Sequence, residues 1–298
     1  MSAAPAKPHR GTIFLEDATL LTQEAWPDEQ YVCRLSAPKC ASHATPGSFV
    51  HVRCADDLPM RRPLSIQRVD REAGWIEILY KVVGKGLARL AQARPGDSLS
   101  CLGPIGQGFS VNATRPRRVL IGGGVGIPPM VFLAEHLRDL PGQRPVVFMG
   151  SEIPFPFRER PSTLLLPGLP PDTIATMPLL DDWGIPCRLA TKQGYPGCFD
   201  GFVTELAATW LAALPETALK ETEIFACGPT PMLRAVAAVA ARFGVPAQVS
   251  LEEFMACAVG GCAGCAVRVE TPTGPAMKRV CVDGPVFEAR SVFPEQYS

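Results

Sequence analysis

Residues 250–287 read SLEEFMACAVGGCAGCAVRVETPTGPAMKRVCVDGPVF. The cysteines in this stretch are separated by four, two and fifteen residues, so three lie in one short loop and the fourth comes later. This is the spacing of a 2Fe–2S site in which two iron ions share four thiolates. The sequence therefore predicts four metal ligands: Cys257, Cys262, Cys265 and Cys281.

A loop that holds three of the ligands must curl tightly. Gly260, Gly261 and Gly264 can supply that curl, because residues without a Cβ can take positive φ and bring N–H groups close to the sulfurs. A hairpin over residues 266–270 and 276–280 is expected to deliver the fourth cysteine. A structural zinc site is the alternative, but such sites often use two Cys-x-x-Cys pairs and only one is present.

The composition excludes several classes of protein. A length of 298 residues suggests two or three domains. Lys plus Arg and Asp plus Glu both number 29, so no net field favours nucleic acid or an anionic membrane. The first ten residues lack the apolar core of a secretory signal, and no run approaches the roughly eighteen apolar residues of a spanning helix. A cytoplasmic protein without a membrane segment is expected.

The eleven cysteines do not indicate a disulfide framework, because the number is odd and four of them have ligand spacing. The other seven are expected to be small buried side chains: Cys33, Cys40, Cys54, Cys101, Cys187, Cys198 and Cys227.

The first third of the chain is rich in strand-length segments with alternating apolar residues, which predicts a small antiparallel β-barrel. One segment, residues 86–93, is expected to be a short helix. The predicted strands cover residues 12–18, 31–37, 47–54, 64–70, 75–82 and 98–102.

Within this barrel, Arg62 and Ser65 flank a rigid Pro-Leu pair and can direct a charge and a hydroxyl at one ligand. The segment at residues 79–81 follows, and then Gly86 opens the short helix, where free N–H groups suit a pyrophosphate. Taken alone, an Arg-Pro at the start of a strand is more often directed to solvent.

After residues 115–117, the middle of the chain reads as a strand at residues 118–121, a glycine loop at 122–126 and a helix at 128–140. Such an arrangement puts N–H donors and the positive end of the helix dipole together, which favours a phosphate-bearing ligand. The loop lacks the full G-x-G-x-x-G pattern, so a plain tight turn is the alternative.

Further strands and helices alternate after this loop, which predicts a doubly wound parallel sheet. Thr230 is expected to cap the last helix, and Gly244 to end it. Ligands of such sheets bind beyond the carboxyl ends of the strands, where both the glycine loop and the Cys227-Gly228-Pro229 turn fall. The strands are expected at residues 145–150, 185–190 and 223–227, and the helices at 204–213 and 231–243.

With these pieces in this order, the sequence resembles the ferredoxin reductase-type flavoproteins and, among them, the dihydroorotate dehydrogenase B electron-transfer subunits. In that family an Arg-Pro-(Leu/Ile)-Ser stretch meets the flavin of FAD, a later strand flanks it, and a Gly-Thr pair meets the pyrophosphate. Leu87 stands in place of that Thr, so one hydroxyl contact would be missing. The resemblance implies FAD contacts from Arg62, Pro63, Leu64, Ser65, Leu79, Tyr80, Lys81, Gly86 and Leu87.

The resemblance also implies an NAD(H) site in the middle domain, with Cys227 close to where hydride leaves. The cluster segment continues as Cys-x-Asp-Gly-Pro-Val-Phe at residues 281–287, which is the most family-specific text in the chain. The residues implied at NAD(H) are Gly122, Gly123, Gly124, Val125, Gly126, Cys227, Gly228 and Pro229.

The expected fold class is multidomain. It comprises an FAD barrel domain at residues 10–113, an α/β NAD domain at 114–247 and a 2Fe–2S domain at 248–298. The resemblance implies an NAD-linked oxidoreductase subunit in pyrimidine biosynthesis with no dihydroorotate site of its own. Electrons would pass between an FMN-containing dihydroorotate dehydrogenase catalytic subunit and NAD through the cluster and FAD, in a heterotetramer of two subunits of each kind. No acid–base or nucleophilic constellation is apparent.

Two other functions stay open from the sequence. One is a related reductase module for another partner, such as a hydrogenase, a sulfite reductase or a ferredoxin-linked complex. The other is a non-catalytic binding protein on the same scaffold. Glu152 favours NAD over NADP, because it could accept bonds from ribose hydroxyls and would repel a 2′-phosphate, although Arg158 and Arg160 are nearby. Residues 151–172, with six prolines, fit the family poorly.

Overall fold

The structure, a computed structural model, describes residues 11–297. The first ten residues and Ser298 lie outside the described residues. The expectation that the chain does not begin with a secretory signal concerns these first ten residues. No helix in the described part is both long and apolar enough to cross a membrane. The eleven cysteines form no disulfide.

The first third of the chain forms the predicted antiparallel barrel, which is closed in the order β1-β2-β5-β4-β3-β6. Its interior is filled by alternate side chains of these strands, among them Leu64, Ile66, Ile78 and Tyr80. Two short helices, α1 (Pro38–His43) and α2 (Gly84–Leu90), cross its ends. The strands are β1 (Phe14–Trp26), β2 (Gln30–Ser36), β3 (Phe49–Arg53), β4 (Arg62–Asp70), β5 (Trp75–Lys81) and β6 (Ser98–Ile105).

The first strand is longer than predicted, since it continues to Trp26 and returns through a tight hairpin. Asp28 and Glu29 occupy that turn with φ of 57° and 56°. Left-handed conformations are uncommon in residues other than glycine. Because this turn contains no glycine, the sequence does not predict a tight hairpin here.

The middle of the chain forms a sheet of seven strands in the order β12-β11-β8-β7-β13-β14-β17, in which only the last strand is antiparallel. One face is covered by α3 (Ile127–Arg138), and the other by α5 (Val203–Ala212) and α7 (Thr230–Phe243). The strands are β7 (Arg117–Gly123), β8 (Arg144–Gly150), β11 (Cys187–Thr191), β12 (Phe199–Asp200), β13 (Thr222–Cys227), β14 (Ala247–Ser250) and β17 (Val286–Glu288), with β9 (Arg160–Pro161) and β10 (Ala175–Thr176) as a separate pair.

The helices of this layer agree with the doubly wound prediction and add short elements. Thr230 does not cap the last long helix: the cap position is Pro229, Thr230 begins the helix, and no side chain caps it. Gly244 does end it, with a left-handed φ of 63°. The helices are α3 (Ile127–Arg138), α4 (Pro178–Asp182), α5 (Val203–Ala212), α6 (Glu216–Lys220) and α7 (Thr230–Phe243).

The proline-rich segment at residues 151–172 is ordered by a buried carboxylate. Asp181 accepts hydrogen bonds from Ser162 Oγ at 2.7 Å and from Thr163 Oγ1 at 2.9 Å, and it pairs with Arg160 at 3.3 Å. At the start of the segment, Gln30 in the barrel donates to the Pro154 carbonyl at 2.8 Å. The segment therefore joins the barrel to the sheet.

The last part of the chain begins with an irregular loop and continues as the predicted hairpin, β15 (Ala266–Thr271) with β16 (Gly274–Arg279). It then returns to the large sheet as β17 and ends in α8 (Ala289–Val292) and a 3₁₀ turn at Pro294–Tyr297. Because β17 pairs with β14, the cysteine-bearing segment is joined to the parallel sheet at both of its ends.

Candidate functional site

The four cysteines of the C-terminal loop lie in two pairs. Cys265 Sγ and Cys281 Sγ are 3.3 Å apart, and the Cys257 and Cys262 thiols are within hydrogen-bonding reach of each other. Within residues 11–297, no three acidic, histidine or cysteine side chains converge as ligands of a single ion. Two pairs of thiolates suit a centre with two irons better than one tetrahedral zinc ion, so the donor set fits the cluster.

The loop surrounds these sulfurs with N–H groups. Cys262 N–H donates to Cys257 Sγ and Gly264 N–H donates to Cys262 Sγ, both at 3.4 Å. Burial acts to raise the pKa of Cys257, but hydrogen bonds from Val259 and Cys262 outweigh it and lower that pKa to about 7. The loop therefore favours the thiolate form that binds iron.

The glycines bend this loop differently from the prediction. Of the three, only Gly260 has positive φ, at 80°, and a Cβ there would lie 2.5 Å from Val282 Cγ2. Gly261 and Gly264 do not take positive φ, and the other left-handed positions are Ala258 and Ala263, with φ of 56° and 55°. Two of the three left-handed residues in this loop are therefore alanines, although the sequence predicts that glycines take these conformations.

The segment after Cys281 is docked on the end of the barrel. Gln107 N–H donates to the Gly284 carbonyl at 2.6 Å, and Gln107 Nε2 donates to the Val282 carbonyl at 3.0 Å. A Cβ at Gly106 would lie 2.4 Å from Pro285 Cδ, so the chains approach as closely as glycine allows. Cys281, the predicted fourth ligand, is held near the barrel by these contacts.

The predicted FAD residues divide between the two faces of the barrel wall. Leu64, Tyr80 and Leu87 belong to the buried interior, and Tyr80 OH donates to Gln23 Oε1 at 2.9 Å. The Tyr80 and Leu87 side chains are therefore not available to a ligand on the outer face. Since side chains alternate along a strand, Pro63 and Ser65 face outward.

Arg62 lies at the mouth of the barrel, against the short helix α2. A Cβ at Gly86 would lie 2.9 Å from Arg62 Nε, so glycine is what lets the guanidinium approach this helix. Arg62 Nη1 donates to the Met60 and Arg61 carbonyls at 3.1 Å and 3.0 Å, which leaves donors free for a ligand. Arg62 and Gly86, both predicted to contact FAD, are therefore adjacent in the structure.

The predicted nicotinamide residues meet at the carboxyl ends of β7 and β13. Gly122 and Gly123 complete β7, and a 3₁₀ turn at Gly124–Gly126 follows in place of the predicted loop. Gly122 pairs with Cys227, and a Cβ at Gly126 would lie 2.3 Å from the Cys227 carbonyl oxygen. The glycine turn and the Cys-Gly-Pro turn therefore form one continuous backbone surface.

Cys227 is a buried, neutral thiol. Burial raises its pKa, and the Glu252 carboxylate raises it further, while the Ser250 side chain contacts the thiol. Such a thiol stays protonated at neutral pH and is not a nucleophile. Its side chain packs in the hydrophobic core between the sheet and Ile127 of α3.

His51 is a site feature that the sequence missed. It pairs with Pro63 across β3 and β4 and is fully buried, and neither ring nitrogen has a partner with good hydrogen-bond geometry among the described residues. The main chains of Arg61 and Met255 lie beside the ring, and Met255 is two residues before Cys257. His51 therefore stands between the flavin-type motif and the cluster loop, and no local sequence signal marks it.

The cysteine loop has a known counterpart. The iron–sulfur cluster binding domain of dihydroorotate dehydrogenase B matches residues 252–293. The dihydroorotate dehydrogenase B (NAD(+)), electron transfer subunit of Desulforamulus reducens is 34% identical over 282 residues, which cover 93% of this chain and 97% of that one. The chain belongs to this family. The Geobacillus kaustophilus member is 35% identical over 284 residues, covering 93% and 98% of the two chains.

Solved structures agree with the fold of this electron transfer subunit family. An NADH-dependent reduced ferredoxin-NADP oxidoreductase has a TM-score of 0.74 at 24% identity, covering 95% of this chain and 93% of that chain. Phthalate dioxygenase reductase has a TM-score of 0.55 at 16% identity, covering 89% and 76%. The predicted family, fold class and iron–sulfur domain are thus confirmed, whereas the individual contact residues and the domain boundaries stay predictions.

Proposed function

We propose that this chain passes electrons between NAD(H) and a separate FMN-containing catalytic subunit that acts on dihydroorotate, in pyrimidine biosynthesis. The main support for this proposal is that residues 282–285 dock on the end of the barrel. This contact connects Cys281 to the domain with the flavin motif. Relatives that bear the name of this subunit along their whole length support the same conclusion.

Bound FAD would exchange hydride with nicotinamide and single electrons with the 2Fe–2S cluster. The residues that would hold FAD are Arg62 at the barrel mouth, Pro63 and Ser65 on the outer face, and Gly86 at the start of α2. Leu79 and Lys81 would flank the ring system, because they lie on the face of β5 opposite to the inward-facing Tyr80. The chain's contribution is to bind, orient and exclude water, and no side chain is needed as an acid or base.

The nicotinamide would lie on the backbone surface formed by residues 122–126 and 227–229. The buried Cys227 thiol keeps charge away from the hydride path, because it remains protonated. Cys257, Cys262, Cys265 and Cys281 would hold the cluster, with the loop N–H groups stabilising the thiolates.

The cofactor is NAD(H) rather than NADP(H). Glu152 is exposed just beyond β8, where it can accept hydrogen bonds from ribose hydroxyls and repel a 2′-phosphate. Of the two nearby arginines, Arg160 is committed to Asp181 and Asp182, so the exposed Arg158 is the cation left close in sequence to Glu152.

The proposal includes an assembly of two such subunits with two catalytic subunits, in the cytoplasm. The catalytic subunit would approach residues 259–263, where Val259 is 51% exposed and small neighbours permit close contact. The proposed domains are residues 10–113 for FAD, 114–247 for NAD and 248–298 for the cluster.

The direct test is reconstitution. The chain and its FMN-containing partner are purified separately, mixed anaerobically, and assayed for NAD⁺ reduction by dihydroorotate. We expect NADH formation only when both proteins are present. NADH formation by the partner alone, or none by the mixture when the chain is fully loaded with FAD and iron, would contradict the proposal.

A further inference from the structure

A cavity of about 640 Å³ opens at the amino ends of β7, β8 and β11. This is the sheet edge opposite to the glycine turn, because these strands are parallel and the glycine turn follows the carboxyl end of β7. One wall of the cavity is built by Leu166, Pro167 and Gly168. The proline-rich segment, which the family resemblance leaves unexplained, therefore helps to form it.

The cavity is lined by three arginines, two of which have no ion pair among the described residues. Arg117, Arg138 and Arg144 line it, and no Asp or Glu does. Arg138 pairs with Asp139 at 3.2 Å, but neither Arg117 nor Arg144 has an ion pair within residues 11–297. Arg117 Nε is also buried and has no hydrogen-bond partner there. A buried donor without a partner is costly, which indicates that an anionic acceptor is expected at this place.

The helix dipole does not explain this cluster. Arg138 stands in the last turn of α3, where a cation offsets the negative end of the dipole. Arg117 and Arg144, by contrast, begin β7 and β8, and strands have no comparable dipole.

The floor of the cavity is apolar and aromatic. The Arg117 guanidinium lies 6.0 Å from the Trp210 ring centroid, and that of Arg138 lies 4.9 Å from the Trp183 ring centroid. These rings restrict the guanidinium groups before any ligand arrives, which lowers the entropic cost of binding. The volume falls in the range of small-molecule sites, roughly 300–1,000 Å³.

We propose that this cavity binds a phosphate-bearing anion of mononucleotide size, separately from the nicotinamide site. The phosphate group of the ligand would contact Arg117, Arg138 and Arg144. The base of the ligand would lie on the apolar floor beside Trp183. The proposal does not depend on the electron-transfer function, because it rests on the opposite edge of the sheet.

The test is calorimetric titration of the holoprotein with uridine 5′-monophosphate, adenosine 5′-monophosphate and inorganic phosphate, each in saturating NAD⁺. We expect saturable one-site binding of at least one nucleotide that NAD⁺ does not displace. Arg144→Gln, which removes an exposed and unpaired side chain, should raise the Kd about tenfold because a charge-assisted contact is lost. Arg94→Gln, an exposed arginine on the barrel, should leave the Kd unchanged.

Arg117→Gln is a second variant, with its melting temperature measured because Arg117 packs on Trp210. The proposal is overturned if neither nucleotide binds at millimolar concentration, if NAD⁺ displaces both, or if Arg117→Gln and Arg144→Gln bind like Arg94→Gln. Inorganic phosphate that binds as tightly as the nucleotides would overturn the assignment of a ring-bearing ligand.

Discussion

Gln107 Nε2 donates to the carbonyl of Val282, the residue after Cys281, at 3.0 Å. The two residues are 175 positions apart, so this bond joins the end of the flavin-type barrel to the cluster segment. Together with the bond from Gln107 N–H to Gly284, it fixes where Cys281 stands relative to the barrel. Because electron transfer depends on distance, we predict a positioning role for Gln107.

Replacement of Gln107 by Ala removes the side-chain bond but keeps the backbone bond. We expect the free energy of unfolding to fall by about 1 kcal/mol, and electron transfer from reduced flavin to the cluster to slow. Stopped-flow absorption after NADH addition measures the transfer, and Gln92→Ala, an exposed glutamine, is the matched control. Unchanged transfer in Gln107→Ala would show that the backbone bond is sufficient.

Each of the four ligand cysteines should be required for the cluster. Cys257→Ser and Cys281→Ser, one from each thiol pair, should lose the visible absorption and the paramagnetic signal of the cluster while retaining FAD, because the barrel does not contain them. Cys198→Ser, a partly buried cysteine outside the loop, is the control and should keep both. A cluster of normal yield in either ligand variant would remove that cysteine from the ligand set.

Gly126→Ala should disrupt the nicotinamide edge. The added methyl would lie 2.3 Å from the Cys227 carbonyl oxygen, so the turn must shift, with a cost of about 1–3 kcal/mol in unfolding free energy. We expect a lower kcat/KM for NADH oxidation with an artificial acceptor. Gly142→Ala, which has positive φ but open space, should lose stability without loss of NADH oxidation. Equal activity losses in the two variants would argue against a specific role for the turn.

His51 predicts a pH dependence of stability. Burial and the nearby Arg61 charge lower the pKa of His51 from 6.5 to about 4, so the folded protein holds it neutral. The unfolded chain binds a proton below pH 6.5, and stability should therefore be full above that pH and fall towards pH 4, by at most about 3 kcal/mol.

Urea unfolding followed by circular dichroism across this pH range measures the effect. His51→Phe should flatten the dependence, whereas His43→Gln, an exposed histidine, should not. A slope in His51→Phe equal to that of the wild type would assign the pH dependence to other groups.

The elements with strong local signals could be predicted from the sequence. The cysteine spacing predicts the iron–sulfur domain, and the order of short strands, glycine turn and helices predicts the barrel and the parallel sheet. Gly244 ends α7 as expected, because a left-handed residue at a helix end favours glycine.

The remaining features depend on contacts between distant residues. The Asp28–Glu29 turn has no glycine, the order of residues 151–172 depends on Asp181 further along the chain, and β17 forms only by pairing with β14. His51 matters because Pro63 and Met255 are beside it, which a single strand sequence does not reveal. Tyr80 and Leu87 match the motif by position, but their side chains face the barrel core.

The most direct test of electron transfer from NADH through the flavin to the cluster is an anaerobic addition of NADH to the purified holoprotein. Visible absorption and electron paramagnetic resonance are recorded before and after. We expect the flavin and cluster bands both to bleach and the signal of a reduced 2Fe–2S cluster to appear. A protein that contains zinc in place of iron, or whose flavin and cluster do not respond to NADH, would contradict it.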